Sequence, residues 1–163
     1  MIMGKLDKAL YYARKQVEHC GVYVWGGQGE KLRKLTALKL AQMESSSDNA
    51  ARVMRFIFTH LKYFDKNTKI FDCSGLVVMC LIYAGVLKAG EDLTAQQLYR
   101  RFNKVNIKNR TAGDLLFKGG PDTITHVGIC ISPTEIIEAK GRDYGVIISD
   151  IDASWERAAR PEY

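Results

Sequence analysis

The spacing of apolar positions along this chain changes period twice. The stretch from Leu6 to Glu18 runs as a helix and ends at His19, where a cation is favourable at a helix C-terminus. Leu32, Leu35, Leu38, Leu40 and Met43 then keep approximate helical spacing. Ser45-Ser46-Ser47-Asp48 supplies a break and an N-cap, and a second helix is predicted from Asn49 to about Tyr63, with His60 as a partly exposed helix residue. Phe71-Asp72-Cys73-Ser74-Gly75-Leu76-Val77-Val78 is a polar turn running straight into an apolar helix, and a short helix is expected after it. Beyond Gly119-Gly120-Pro121 the period falls to two. Val127-Gly128-Ile129-Cys130-Ile131 and Glu135-Ile136-Ile137-Glu138-Ala139-Lys140 predict two strands joined through Ser132-Pro133-Thr134. Several strands and a terminal helical turn complete the order. Helices first and an antiparallel sheet afterwards make an α+β arrangement.

The hairpin has two possible registers. Centred on residue 132 it sets His126 opposite Glu138; centred on 133 it sets His126 opposite Lys140, with Glu138 on the diagonal. Either way His126 and Glu138 share a face, while Val127, Ile129, Ile131, Ile137 and Ala139 share the other as core. Gly128 leaves room beside His126 for a close neighbour such as the helix carrying Cys73.

Cys73 stands at the junction of turn and helix. A thiol in the first helical turn lies against unpaired backbone N–H groups and the positive end of the macrodipole, which favour the thiolate. The Cys73 backbone N–H is at the same point, as an oxyanion donor. The alternative is a buried structural cysteine with Asp72 as its cap. Of the three histidines, only His126 opens a buried strand from which it can reach another element. A glutamate on the same face can fix the imidazole tautomer and stabilise the imidazolium, or it can be a solvated acid on an edge strand.

Phe71-Asp72-Cys73-Ser74-Gly75-Leu76, His126-Val127-Gly128-Ile129 and Ile136-Ile137-Glu138-Ala139-Lys140-Gly141 together resemble the NlpC/P60 family of papain-like cysteine peptidases. Val22-Tyr23-Val24-Trp25-Gly26-Gly27 is similar to the family's YVWGG segment, Ala112-Gly113-Asp114-Leu115-Leu116-Phe117 to its PGDLVFF strand, and Ser154-Trp155-Glu156-Arg157 onward to its C-terminal ending. The resemblance implies a papain-like fold, with N-terminal helices packed on an antiparallel sheet. It also implies hydrolysis of bacterial cell-wall stem peptides, commonly between D-glutamate and the following diamino acid. By the same resemblance Cys73 is the nucleophile, His126 the general base and later acid, and Glu138 the third polar residue. Tyr23 shapes the oxyanion site and substrate pocket, and Asp72 and Ser74 hold the free amine of the stem peptide; Asp72 also serves as a helix cap under the simpler reading. No cofactor and no metal are implied.

Two departures stand out. The family's third residue is most often histidine, whereas Glu138 here matches the glutamate of related CHAP-type hydrolases. Between Gly27 and Cys73 lie 45 residues where relatives have a short loop, so a helical insertion at about 28–70 is expected close to the cleft. It could narrow substrate choice, bind a polymer or partner, or simply pack on the fold.

A chain of 163 residues, 47% hydrophobic and 26% charged, suits one catalytic domain over 1–163 without a separate wall-binding module. A net charge of +6 suits an anionic wall polymer. It does not by itself support nucleic-acid binding, since the basic residues are dispersed without an aromatic stacking pattern. The four cysteines contain no CxxC and give neither a disulfide scaffold nor a zinc signature. Cys20, Cys80 and Cys130 are expected as core thiols. No membrane span and no signal-peptide h-region are legible, which suggests synthesis in the cytoplasm and action at the wall after lysis, phage delivery or release from a precursor. Two other classes stay open: a non-catalytic module binding wall peptides or a phage partner, and a cysteine hydrolase or acyltransferase acting on a non-wall amide or ester.

Overall fold

A helix that is apolar on nearly every side is buried on most of its surface, and the segment after Asp72 obeys this, with Tyr83 near its end exposed. In the computed structural model, which describes residues 2–163, Leu76, Val77, Val78, Cys80 and Leu81 are all fully buried. The elements run α1 (Lys5–Glu18), β1 (Val22–Tyr23), β2 (Gln28–Lys31), α2 (Ala37–Met43), α3 (Ser47–His60), β3 (Lys69–Phe71), α4 (Cys73–Ala84) and α5 (Ala95–Arg101). They continue with β4 (Asn103–Val105), β5 (Leu115–Gly120), β6 (Thr123–Cys130), β7 (Glu135–Gly141), β8 (Gly145–Asp150) and β9 (Arg157–Arg160). Helix α4 is sandwiched between α1, through Ala9, Tyr12 and Ala13, and the face of the large sheet carrying Val127, Ile129, Ile137 and Ala139. That face is the core face expected from the alternation of the two strands.

The large sheet has the order β4-β9-β5-β6-β7-β8 with every neighbour antiparallel. Ile129 pairs with Ile137 and Cys130 with Ile136. This is the register centred on residue 133, so His126 falls opposite Lys140 and Glu138 lies on the diagonal. Gly128 does not make room for α4. A Cβ there would meet the Ile136 side chain at 2.8 Å, because Gly128 faces the smaller core of Leu116, Cys130, Ile136, Trp155 and Ala158. The chain also ends differently from expectation. Residues 157–160 form strand β9, whose small Ala158 and Ala159 are buried between β4 and β5, instead of a helical turn.

Residues 28–70 contain the expected pair of helices, one short and one long, and a strand ahead of them. β2 joins β3 and β1 in a second sheet of order β1-β3-β2, in which β1 and β3 are parallel. Thr36 caps α2 through the Lys39 N–H. That start places Leu40 and Met43 inward and turns Leu38, two residues from Leu40 and so about 200° around the helix, to solvent at 69% exposure. Ser46 caps α3, as the serine run predicts. Val53, Phe56 and Ile57 of α3 then form a core with Leu40, Val22, Val24 and Ile70. Cys80 and Cys130 are fully buried, but Cys20 is only half-buried and takes a left-handed φ of 51° at the end of α1. All four cysteines are free. Among the described residues no helix is long and apolar enough to cross a membrane.

Candidate active site

Asp72 is the keystone of the thiol's side. Its Oδ1 accepts the Gly75 N–H at 2.7 Å as the N-cap of α4, and its Oδ2 accepts the Gly26 N–H at 3.0 Å. The Ser74 hydroxyl donates to the same carboxylate at 3.2 Å. One side chain thus joins the start of α4 to the loop after Tyr23. Glycines make the approach possible: a Cβ on Gly75 would lie 2.0 Å from the Gly27 carbonyl oxygen, and one on Gly27 would strike the Phe71 backbone. Burial pushes the Asp72 carboxyl above its ordinary pKa, against the hydrogen bonds that favour the anion.

Cys73 is the first residue of α4, as predicted, but it is not a poised thiolate at rest. Burial, reinforced by the negative Asp72 beside it, raises its thiol to about 11. The backbone N–H groups of Val127, Ser74 and Cys73 itself favour the thiolate and are outweighed. Desolvation wins over the helix terminus because the sulfur is walled in by the core that surrounds α4. The sulfur meets β6 at the Val127 N–H, one residue beyond His126. Among the described residues no hydrogen bond joins Cys73 to His126.

The other side is a side-chain pair. His126 Nε2 and Glu138 Oε2 are 2.6 Å apart, with the Glu138 side chain 2% exposed and the imidazole 16%. Burial works against the Glu138 carboxylate, yet the hydrogen bond and charge of His126, with Lys118 nearby, hold its pKa below the ordinary value. Since Nε2 is engaged by Glu138, Nδ1 is the ring nitrogen left for proton exchange. Trp155 walls the imidazole, with ring centroids 5.5 Å apart, and Lys118 Nζ lies 4.5 Å from the Trp155 ring centre. Trp155 was visible only as part of a C-terminal motif, with no spacing to link it to His126.

Tyr23, Trp25, Asp72, Cys73 and Ser74 line one cleft of about 360 Å³, closed on the sheet side by Thr125. Tyr23 is buried, and burial followed by the neighbouring Cys73 and Asp72 pushes its phenol up to about 12, while Arg142 works the other way. Arg142 lies over the Tyr23 ring at 5.3 Å and pairs with Glu44. Neither Glu44 nor Arg142 carries a periodic or motif signal that could have singled it out. Among the described residues no cluster of three or more His, Cys, Asp and Glu side chains is arranged to hold a metal ion.

The sequence pattern of the NlpC/P60 family matches residues 60–159. Over 90 residues, 53% of this chain, the sequence is 37% identical to the bifunctional muramidase/DL-endopeptidase CwlT of Bacillus subtilis. The aligned part is 26% of that protein, so the chain spans about a quarter of the length of this curated relative. Among solved structures, the P60 domain of the Mycobacterium avium subspecies paratuberculosis antigen MAP1204 superposes with a TM-score of 0.66, at 20% identity, covering 98% of this chain and 96% of that one. RipD of Mycobacterium tuberculosis, described as a non-catalytic NlpC/p60 domain protein adapted to peptidoglycan binding, superposes with a TM-score of 0.63 at 19% identity over 98% of both chains.

Proposed function

The chain belongs to the NlpC/P60 family, and from that premise we propose that it is a cysteine peptidase cleaving peptidoglycan stem peptides at the bond between D-glutamate and the diamino acid. The observation that carries this reading is the buried His126–Glu138 pair, 2.6 Å apart, one residue from the backbone N–H that meets the Cys73 sulfur. A binding module has no need of a buried carboxylate holding an imidazole on the strand that meets a first-turn thiol. The identity to a DL-endopeptidase supports the choice of bond.

In this mechanism the Cys73 proton passes to His126 Nδ1 as the sulfur attacks the peptide carbonyl carbon. Glu138 stabilises the imidazolium through Nε2. The oxyanion takes the Cys73 N–H, with Tyr23 shaping the pocket around it. His126 then protonates the leaving amine nitrogen as the C–N bond breaks, leaving a thioester on Cys73. Water, deprotonated by His126, adds to that thioester; the C–S bond breaks, and the carboxylic acid and free thiol are released. Because the resting thiol is protonated, attack and proton transfer are coupled to substrate entering the cleft and do not draw on a preformed ion pair.

Digestion of purified peptidoglycan by the wild type and by Cys73→Ala tests the proposal. New free amines on the diamino acid, produced by the wild type alone, are the expected result; equal cleavage by Cys73→Ala would sink the covalent scheme. A second reading, a non-catalytic wall binder, draws on the Cys73 thiol, raised in pKa by burial and, among the described residues, without a hydrogen bond to His126. It requires that the wild type release no amines while both proteins bind stem peptide equally.

A further inference from the structure

The loop that carries Tyr23 to Gly27 has each of its backbone N–H groups fixed. Val24 donates to the Phe71 carbonyl, Gly26 to Asp72, and Gly27 back to the Val24 carbonyl. Trp25 differs, because its N–H donates at 3.0 Å to Oε1 of Glu44, which lies just past the end of α2. The Glu44 side chain is completely buried although the backbone around it is at the surface. Its Oε2 accepts from Arg142 Nε at 2.8 Å and lies 2.6 Å from a terminal guanidinium nitrogen. Arg142, in the turn between β7 and β8, in turn covers the Tyr23 ring. A second pair, Arg52 of α3 with Asp143, ties the same turn to residues 28–70, but both side chains are more than 40% exposed and the pair contributes little. The buried carboxylate does the holding. An isolated buried charge is costly, so Glu44 and Arg142 each require the other.

We infer that Glu44 is a positioning residue of the cleft, through which residues 28–70 fix the Trp25 backbone and keep the guanidinium over Tyr23 electrically neutralised. The inference rests on the peptidase reading above and deepens it. Trp25, its indole 58% exposed on the cleft wall, and Tyr23 beside the thiol are both held by one carboxylate from that segment. Stem peptides carry free carboxylates. A guanidinium deprived of Glu44 would attract them from behind the cleft-lining Tyr23, so Glu44 suppresses a charge-based preference that the cleft would otherwise have.

The test uses two stem peptides that differ by amidation of one carboxylate, cleaved by the wild type, Glu44→Gln and the double variant Glu44→Gln/Arg142→Gln. The double variant leaves no unpaired buried charge, so it guards against loss of folding in the single one. In Glu44→Gln the ratio of the two KM values is expected to move toward the more acidic peptide by about threefold or more, and the double variant should restore it. Glu44→Gln should also lower the Tyr23 phenol midpoint, followed by NMR of ring-labelled tyrosine, since a negative neighbour is removed and the cation stays. A KM ratio unchanged in folded Glu44→Gln overturns the inference. If Glu44→Gln fails to fold, a double variant that folds with the wild-type KM ratio supports neutralisation, and one that shifts the ratio overturns it. If the wild type cleaves neither peptide, the peptidase reading has failed on its own; the phenol midpoint then decides, and an unmoved Tyr23 overturns the Glu44 link as well.

Discussion

The two sides of the cleft are held in opposite ways. On the thiol's side the support is backbone: α4 begins at Cys73, Asp72 ties its first turn to the Gly26 N–H, and glycines at 27 and 75 let the two segments touch. This fixes position but leaves the sulfur in apolar surroundings next to a carboxylate, with its proton retained up to about 11. On the other side the support is a single side-chain pair, His126 with Glu138, set into adjacent strands of a sheet. There the charges are paired, with Lys118 near the carboxylate and Trp155 walling the imidazole. Rigid placement and charge pairing are thus divided between two elements, and turnover has to unite them.

The largest expected effect comes from breaking the charged side. His126→Ala removes the proposed base and should lower kcat/KM by about 10²- to 10⁴-fold. Glu138→Gln keeps the side-chain size but loses the charge that stabilises the imidazolium, and its amide can donate to Nε2 and force the wrong tautomer. Its loss should be smaller than that of His126→Ala, with the circular dichroism spectrum unchanged. A Glu138→Gln protein that is fully active would show that the 2.6 Å contact is only structural. One that unfolds would say the same by another route.

The thiol's side is tested by its acidity. Alkylation of Cys73 by iodoacetamide in the unliganded protein should rise with pH through a midpoint near 11, because burial and Asp72 both disfavour the anion. Removing the negative neighbour in Asp72→Asn favours the thiolate, so the midpoint should fall. Cys80, fully buried in α4, should stay unreactive throughout. Peptide mapping by mass spectrometry separates the sites. Rapid neutral-pH labelling of Cys73 that disappears in His126→Ala would instead reveal an ion pair formed in solution, and the division between the two sides would collapse.

How much of this was legible in the sequence follows from what each feature depends on. The faces of β6 and β7 depend only on period two, so the shared side of His126 and Glu138 and the core side of Val127, Ile129 and Ile137 could be read directly. The choice between two hairpin registers depends on turn geometry around Pro133, which composition left open. The state of Cys73 depends also on burial, and a first-turn position says nothing about how apolar the walls are; the N–H groups favour the thiolate as that position implies, and burial outweighs them. In residues 28–70 the two helices and the serine break were legible, but the strand at 28–31 and the outward turn of Leu38 were not, since both depend on where Thr36 starts α2. Glu44 and Arg142 were invisible because a buried ion pair between distant segments has no local pattern.

The smallest expected effect is also the one that separates Asp72's two jobs. Asp72→Ala loses both the cap on Gly75 and the tie to Gly26, and should cost about 1–2 kcal/mol of stability, a fall in Tm of about 2–4 °C for each kcal/mol in a chain of this size. Asp72→Asn can still cap the helix, since asparagine's Oδ1 accepts the Gly75 N–H as well as a carboxylate does. Its amide nitrogen cannot accept the Gly26 N–H, so only the loop tie is lost. The thermal midpoint of Asp72→Asn should therefore stay closer to wild type than to Asp72→Ala, while cleavage, which needs Tyr23 and Trp25 held against the thiol, should fall in both. If Asp72→Asn matched wild type in stability and in KM alike, the Gly26 hydrogen bond would be incidental, and the thiol's side of the cleft would rest on the helix cap and the two glycines alone.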